Sequence, residues 1–125
     1  MKQAISTADA PKAIGPYSPA VRAGQMVFIS GQVPIDPATG NLIDGDIAAQ
    51  TRRVFDNLGA LLKAAGLSYA NVVRTTVFLA DMNDFAAMNA VYREYFPTDP
   101  PARTTVEVNR LAATYHIELE VMAAR

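Results

Sequence analysis

Between residues 46 and 79 the apolar period of the chain changes once, and that change limits the folds open to it. Ile47, Val54, Leu58, Leu61, Leu62 and Ala65 recur at helical spacing behind Asp46, which is placed as an N-cap, and Gly66 ends the run. Val73, Thr75, Val77 and Leu79 then alternate with Arg74, Thr76 and Phe78, a period of two rich in β-branched side chains. A helix that buries one face, followed at once by a strand, needs a sheet to pack against. The flanking sequence must supply the other strands.

It does so on both sides. Pro11, Gly15, Pro16 and Pro19 break the first twenty residues into turns. Ala20–Ala23 and Met26–Val33 form a hairpin around Gly24-Gln25, and Asp36-Pro37-Ala38-Thr39-Gly40 turns the chain back before Asn41–Ile43. A second helical period runs from Asp84 to Phe96 through Phe85, Met88, Tyr92 and Tyr95, and Pro97 stops it. Two last strands are expected at Thr104–Val108 and Tyr115–Ala123. The order β-β-β-α-β-α-β-β, with no internal repeat, gives an α/β (α+β) protein: one open mixed sheet with two helices on one face. Residues 1–125 fit a single domain. The other face would carry His116, Glu118, Glu120 and Met122, opposite Ile117, Leu119 and Val121. Charges there suit a wet pocket between subunits better than the hidden side of a monomer, which favours an oligomer.

Eleven basic residues against twelve acidic give a net charge of -1, and the chain has no Cys. This balance provides no electrostatic footprint for nucleic acid or an anionic membrane, and disulfides and thiolate catalysis are excluded. No signal-peptide pattern or membrane span is evident, so a cytoplasmic protein with a small-molecule or protein partner is expected. The chain lacks a glycine-rich phosphate loop, metal-ligand spacing and a Gly-x-Ser-x-Gly elbow. His116, the single His, is read as structural.

The most suggestive pair is Arg103 and Glu118, on successive strand-like runs. A guanidinium grips a carboxylate through two parallel hydrogen bonds, and a carboxylate can hold or activate water. The plainer alternative is a cross-strand ion pair. Gly31, after Ser30, is either a strand bulge or a place where a ligand approaches the backbone. Asn89 faces inward on its helix with Phe85, Tyr92 and Phe96, so a structural bond and a ligand contact are both open to it. Tyr17 is displayed by a stiff Gly15-Pro16 loop, as a pocket wall or a packing anchor. Arg22, Arg52 and Arg53 read as solvated surface.

Taken in order, Gly15-Pro16-Tyr17-Ser18, Ile29-Ser30-Gly31-Gln32, Asn83-Asp84-Phe85 followed by Asn89, Pro101-Ala102-Arg103-Thr104 and Ile117-Glu118-Leu119-Glu120 span the whole chain. In these motifs the sequence resembles the Rid/YjgF family of enamine and imine deaminases. The resemblance implies a chorismate-mutase-like fold assembled as a homotrimer, sheets inward, with pockets at the subunit interfaces. It also implies hydrolysis of short 2-imino acids and their enamine tautomers, released by pyridoxal-phosphate enzymes such as threonine dehydratase, without metal or cofactor. Arg103 would bind the substrate carboxylate and Glu118 would position water. Tyr17, Ser30, Gly31, Asn89 and Thr105 would line the pocket. Many family members carry Cys where this chain has Thr105, which bears on substrate range. Glu120 is expected to serve an ion pair or interface bond. A non-catalytic trimeric module that binds a carboxylate metabolite or a protein is the rival reading. Some members have been described as ribonucleases or translation inhibitors, and the acidic pI argues against that here.

Overall fold

The computed structural model describes residues 1–125. A six-stranded sheet runs in the order β1 (Lys2–Ile5), β2 (Ala20–Ala23), β3 (Met26–Gln32), β8 (Ile117–Ala124), β6 (Val72–Leu79), β7 (Ala102–Glu107). Only β6 and β7 pair in parallel; the other neighbours are antiparallel. Helices α1 (Ile47–Ala64) and α2 (Phe85–Tyr95) complete the fold, and α2 is the crossover that joins the parallel pair. A separate ribbon of β4 (Ile35–Asp36) and β5 (Asn41–Leu42) folds over the Asp36–Gly40 turn.

Local chemistry sets the ends of these elements. Asp46 Oδ1 accepts from the Ala49 N–H at 2.9 Å, and Gly66 leaves α1 with φ +75°. The apolar stripe of α1 meets Val27, Ile29, Val77, Leu79, Ile117, Leu119 and Val121 in one core. Each large side chain buried there contributes about 1.5–3 kcal/mol. A ring cluster then joins the helices: Phe55 stacks on Tyr95 at 4.1 Å between centroids and meets Tyr92 edge-on at 5.7 Å.

Several expectations are corrected. Lys2–Ile5 forms an edge strand where only turns were expected, because pairing with β2 overrides a sequence whose one buried side chain is Ile5. Asn41–Leu42 belongs to the ribbon rather than to the main sheet. A register shift between Val72 and Arg74 turns Val72 inward and leaves Val73 exposed, against the alternation read from the sequence. The last strand begins at Ile117, so Tyr115 and His116 precede it. Of the three arginines read as solvated surface, Arg52 is exposed as expected while Arg22 and Arg53 are half-buried, and all three are hydrogen-bonded. Arg22 donates to the Ala65 carbonyl, Arg53 donates to Asn57 Oδ1 at 2.8 Å, and Arg52 pairs α1 with both oxygens of Glu94 on α2 at 3.0 and 2.8 Å.

Candidate active site

Glu118 occupies an alternating position on β8. Its neighbours Ile117 and Leu119 enter the core, which leaves Glu118 half-buried on the sheet face turned away from the helices. Opposite it, β3 carries an irregularity. Ile29 pairs with Val121 and Gln32 pairs with Leu119, so three steps on β3 match two on β8. Gly31 lies in this bulge, and the Glu118 carboxylate fills the space a side chain there would take. A Cβ on residue 31 would lie 2.9 Å from Glu118 Cδ. The bulge reading of Gly31 therefore holds, and the group that approaches its backbone is the Glu118 side chain.

A cavity of about 500 Å³ opens over this point, with Tyr17, Ser30, Gly31, Tyr115, Glu118 and Glu120 in its walls. Ser30 holds the wall together: its Oγ donates to the Ser18 carbonyl at 2.7 Å and its N–H to the Pro19 carbonyl at 2.9 Å. The loop that displays Tyr17 is thus anchored to β3, and the Ser30 hydroxyl proton is engaged inside the protein. Neither Glu118 nor Glu120 has an ion pair, the chain's one salt bridge being Arg52–Glu94. Burial, followed by the charge of Glu120, raises the Glu118 pKa above the usual carboxylate value. Burial also raises that of the Tyr115 phenol, with smaller contributions from Glu118 and Tyr17.

Arg103 lies elsewhere. On the edge strand β7 it pairs with Thr75 of β6, and its side chain turns to the helix side. Nη1 donates to Asn89 Oδ1 at 2.6 Å, and the guanidinium carbon stands 4.7 Å from the Tyr92 ring centroid and 5.4 Å from that of Phe85. Tyr92 is held in turn by a 2.7 Å hydroxyl contact with Thr75 and by Phe55. Asn89 is the only protein hydrogen-bond partner of the guanidinium, so the rest of the fork is free for an anion. Two residues along on the same face, Thr105 Oγ1 is buried with no partner. An orphaned buried hydroxyl is costly unless a ligand satisfies it.

The expected site residues therefore fall into two groups. Tyr17, Ser30, Gly31 and Glu118 share the cavity; Asn89, Arg103 and Thr105 share the α2 side of β7. The cross-strand ion pair is ruled out by topology, since β6 lies between β7 and β8 and the two side chains use opposite faces. Two strand spacings, about 10 Å, and the thickness of the sheet separate them. No small acid can touch both within one chain. Sequence reasoning missed Tyr115 as a wall because it was read as part of a strand. No group of three or more His, Cys, Asp or Glu side chains comes together to hold a metal ion, and no helix is long and apolar enough to cross a membrane.

The chain is similar to several known proteins. The family profile described as Endoribonuclease L-PSP matches residues 7–125. A RutC family protein of Pyrococcus horikoshii is 55% identical over 98% of this chain and 98% of its own. The human protein named 2-iminobutanoate/2-iminopropanoate deaminase is 46% identical over 98% of this chain and 90% of its own. A Yersinia pestis protein of unknown function, from the conserved Rid family, superposes with a TM-score of 0.97 at 43% identity over 100% of both chains.

Proposed function

The chain belongs to the Rid/YjgF family, whose profile bears the Endoribonuclease L-PSP description, and from that premise we propose that it hydrolyses short 2-imino acids, such as 2-iminobutanoate and 2-iminopropanoate, and their enamine tautomers to 2-oxo acids and ammonia. The observation that carries this reading is the Glu118 carboxylate: unpaired, half-buried against Gly31, at the floor of an open cavity.

A protonated imine is cationic at the carbon–nitrogen bond and anionic at its carboxylate. Glu118 attracts the first and holds a water about 3 Å from the electrophilic carbon. It accepts a proton as the water oxygen bonds to that carbon and the carbon–nitrogen π pair moves onto nitrogen. The proton then passes to the nitrogen of the tetrahedral adduct, the carbon–nitrogen bond breaks as the hydroxyl oxygen forms the carbonyl, and ammonia leaves while the carboxylate takes the hydroxyl proton. Such help supplies a factor of about 10² to 10⁴, enough for a reaction that already proceeds in water. The carboxylate is gripped by the free part of the Arg103 fork, with the Thr105 hydroxyl donating beside it. Because Arg103 and Glu118 of one chain cannot meet, the α2 side of β7 from a second copy closes the cavity of the first. A ring of three copies satisfies every half-site. This homotrimer has its sheets inward and its helices outward, which would cover a sheet face where Phe28 and Met122 are exposed beside Glu118 and Glu120.

The substrate comes from pyridoxal-phosphate enzymes that eliminate water from hydroxy amino acids, and the reaction requires no cofactor. The family's ribonuclease description finds little support in a chain of net charge -1 whose cavity carries two carboxylates. The test is a time course of 2-oxobutanoate formation from threonine and a threonine dehydratase, at limiting dehydratase in a weakly catalytic buffer. Faster clearance of the imine on addition of this protein is expected. An unchanged course, with a 2-oxo acid still bound, would leave a carboxylate-binding module as the better reading.

A further inference from the structure

The cavity over Glu118 is larger than a short imino acid requires, and its charges are not all used by the reaction proposed above. Pro11 to Ile14 contribute to the lining, and Lys12 is its only cation. Its ammonium has no ion pair and no hydrogen bond within the chain, although Glu118 and Glu120 line the same cavity. Lys12 also borders the neighbouring groove beside Ile35 and Pro37, so its position is the rim where the cavity opens outward. From floor to rim the site runs from two carboxylates to one free ammonium.

We propose that Lys12 binds a second carboxylate, at the far end of the substrate side chain, so that the cavity accepts imines of dicarboxylic amino acids as well as short apolar ones. The inference rests on the deaminase reading for the position of the imine, which lies at Glu118. With the α-carboxylate on the Arg103 side, a side chain must leave the imine carbon toward open volume. An apolar side chain meets Tyr17 and Ile14 there, and an anionic one reaches Lys12. An ammonium on a flexible stem suits a subsite that serves side chains of different length. Its exposure sets the size of the effect, since a solvent-exposed ion pair changes affinity by only a few fold and fades with salt.

Two readouts separate this inference from the reading beneath it. Calorimetric binding of 2-oxoglutarate against 2-oxobutanoate requires no catalysis. The wild type is expected to favour the dicarboxylate by about threefold to fivefold at low salt. Lys12→Ala should bring that ratio close to one, Lys12→Arg should keep it, and Lys12→Glu should invert it. The same order is expected for the ratio of kcat/KM between imines released in place from glutamate and alanine by an amino-acid oxidase. A ratio unmoved by Lys12→Ala, or moved equally by Lys63→Ala on the exposed end of α1, overturns the subsite. If no imine is hydrolysed at all, the deaminase reading falls while the binding ratios still decide the role of Lys12.

Discussion

Arg103 on β7 donates to Asn89 on α2 at 2.6 Å, while Tyr92, one helical turn on, lies beneath the same guanidinium. The contact orients a cation without neutralising it. An Asp or Glu at position 89 would pair with the guanidinium and compete with any incoming carboxylate, whereas an amide oxygen fixes Nη1 and leaves the charge available.

Asn89→Leu should therefore loosen the fork without removing it. KM for a 2-imino acid is expected to rise about fivefold to twentyfold with a smaller change in kcat, as for an interaction of about 1–2 kcal/mol with a charged group. Arg103→Ala should eliminate detectable turnover. It also removes the stacking on Tyr92 and the bond to Asn89, so a loss of about 1–2 kcal/mol in denaturant unfolding is expected alongside. Arg103→Lys retains the charge and loses the fork, and intermediate kinetics are expected from it.

Gly31→Ala places a methyl group where the Glu118 carboxylate now lies, 2.9 Å from Cδ. The side chain can swing out of the way, so the fold should lose no more than about 1 kcal/mol. The water proposed for it would move as well. A fall in kcat of at least about tenfold, with an unchanged far-ultraviolet circular dichroism spectrum, is the expected outcome. Full activity would mean that Glu118 works from another rotamer.

The raised pKa of Glu118, caused first by burial and then by Glu120, fixes the sign of two pH effects. Turnover requires the ionised form, so the acid limb of kcat/KM should lie above the ordinary carboxylate range. Glu120→Gln removes a like charge and should move that limb to lower pH. For stability, a carboxyl whose pKa is higher folded than unfolded disfavours the fold as pH rises through the folded value. Glu118→Gln should thus be more stable than the wild type at neutral pH, and this advantage should vanish in acid. Its turnover should fall at least about tenfold at neutral pH, a deficit that narrows in acid as the wild-type carboxylate is protonated, while Glu120→Gln loses less. Equal losses would assign the water to both carboxylates.

Light scattering at micromolar concentration should report three times the 13.4 kDa chain mass. Mixing tests the geometry more directly. Arg103→Ala chains alone are expected to be inactive and Glu118→Gln chains at least about tenfold slowed; co-refolded, they should exceed the activity of either alone at interfaces that bring an intact Arg103 to an intact Glu118. No recovery from a mixed assembly would overturn the shared site.

What could be read from the sequence followed local periodicity. The stripe of α1, its Asp46 cap, the Gly24 hairpin and the alternation that exposes Glu118 all depend on neighbours close in the chain, and the motifs around Tyr17, Gly31, Arg103 and Glu118 carried the family. Strand order was harder to see. That β6 lies between β7 and β8 depends on the α2 crossover, because a β-α-β unit pairs its strands in parallel and leaves the last strand to enter on the other side. Applied to residues 72–107, that rule sets a strand between Arg103 and Glu118. Lys2–Ile5 gave no signal because an edge strand with one buried residue shows no alternation.

The extra residue between Ile29 and Gln32 also limits how this protein can be improved. Deleting it, or regularising Ser30-Gly31 with residues of higher strand propensity, would give β3 and β8 an uninterrupted ladder, and a selection or design procedure that rewards stability alone would move that way. The sturdier sheet would have nowhere to lay the Glu118 side chain. Consensus engineering of this fold should therefore hold the irregular stretch of β3 fixed and seek its gains on α1, α2 and the outer loops.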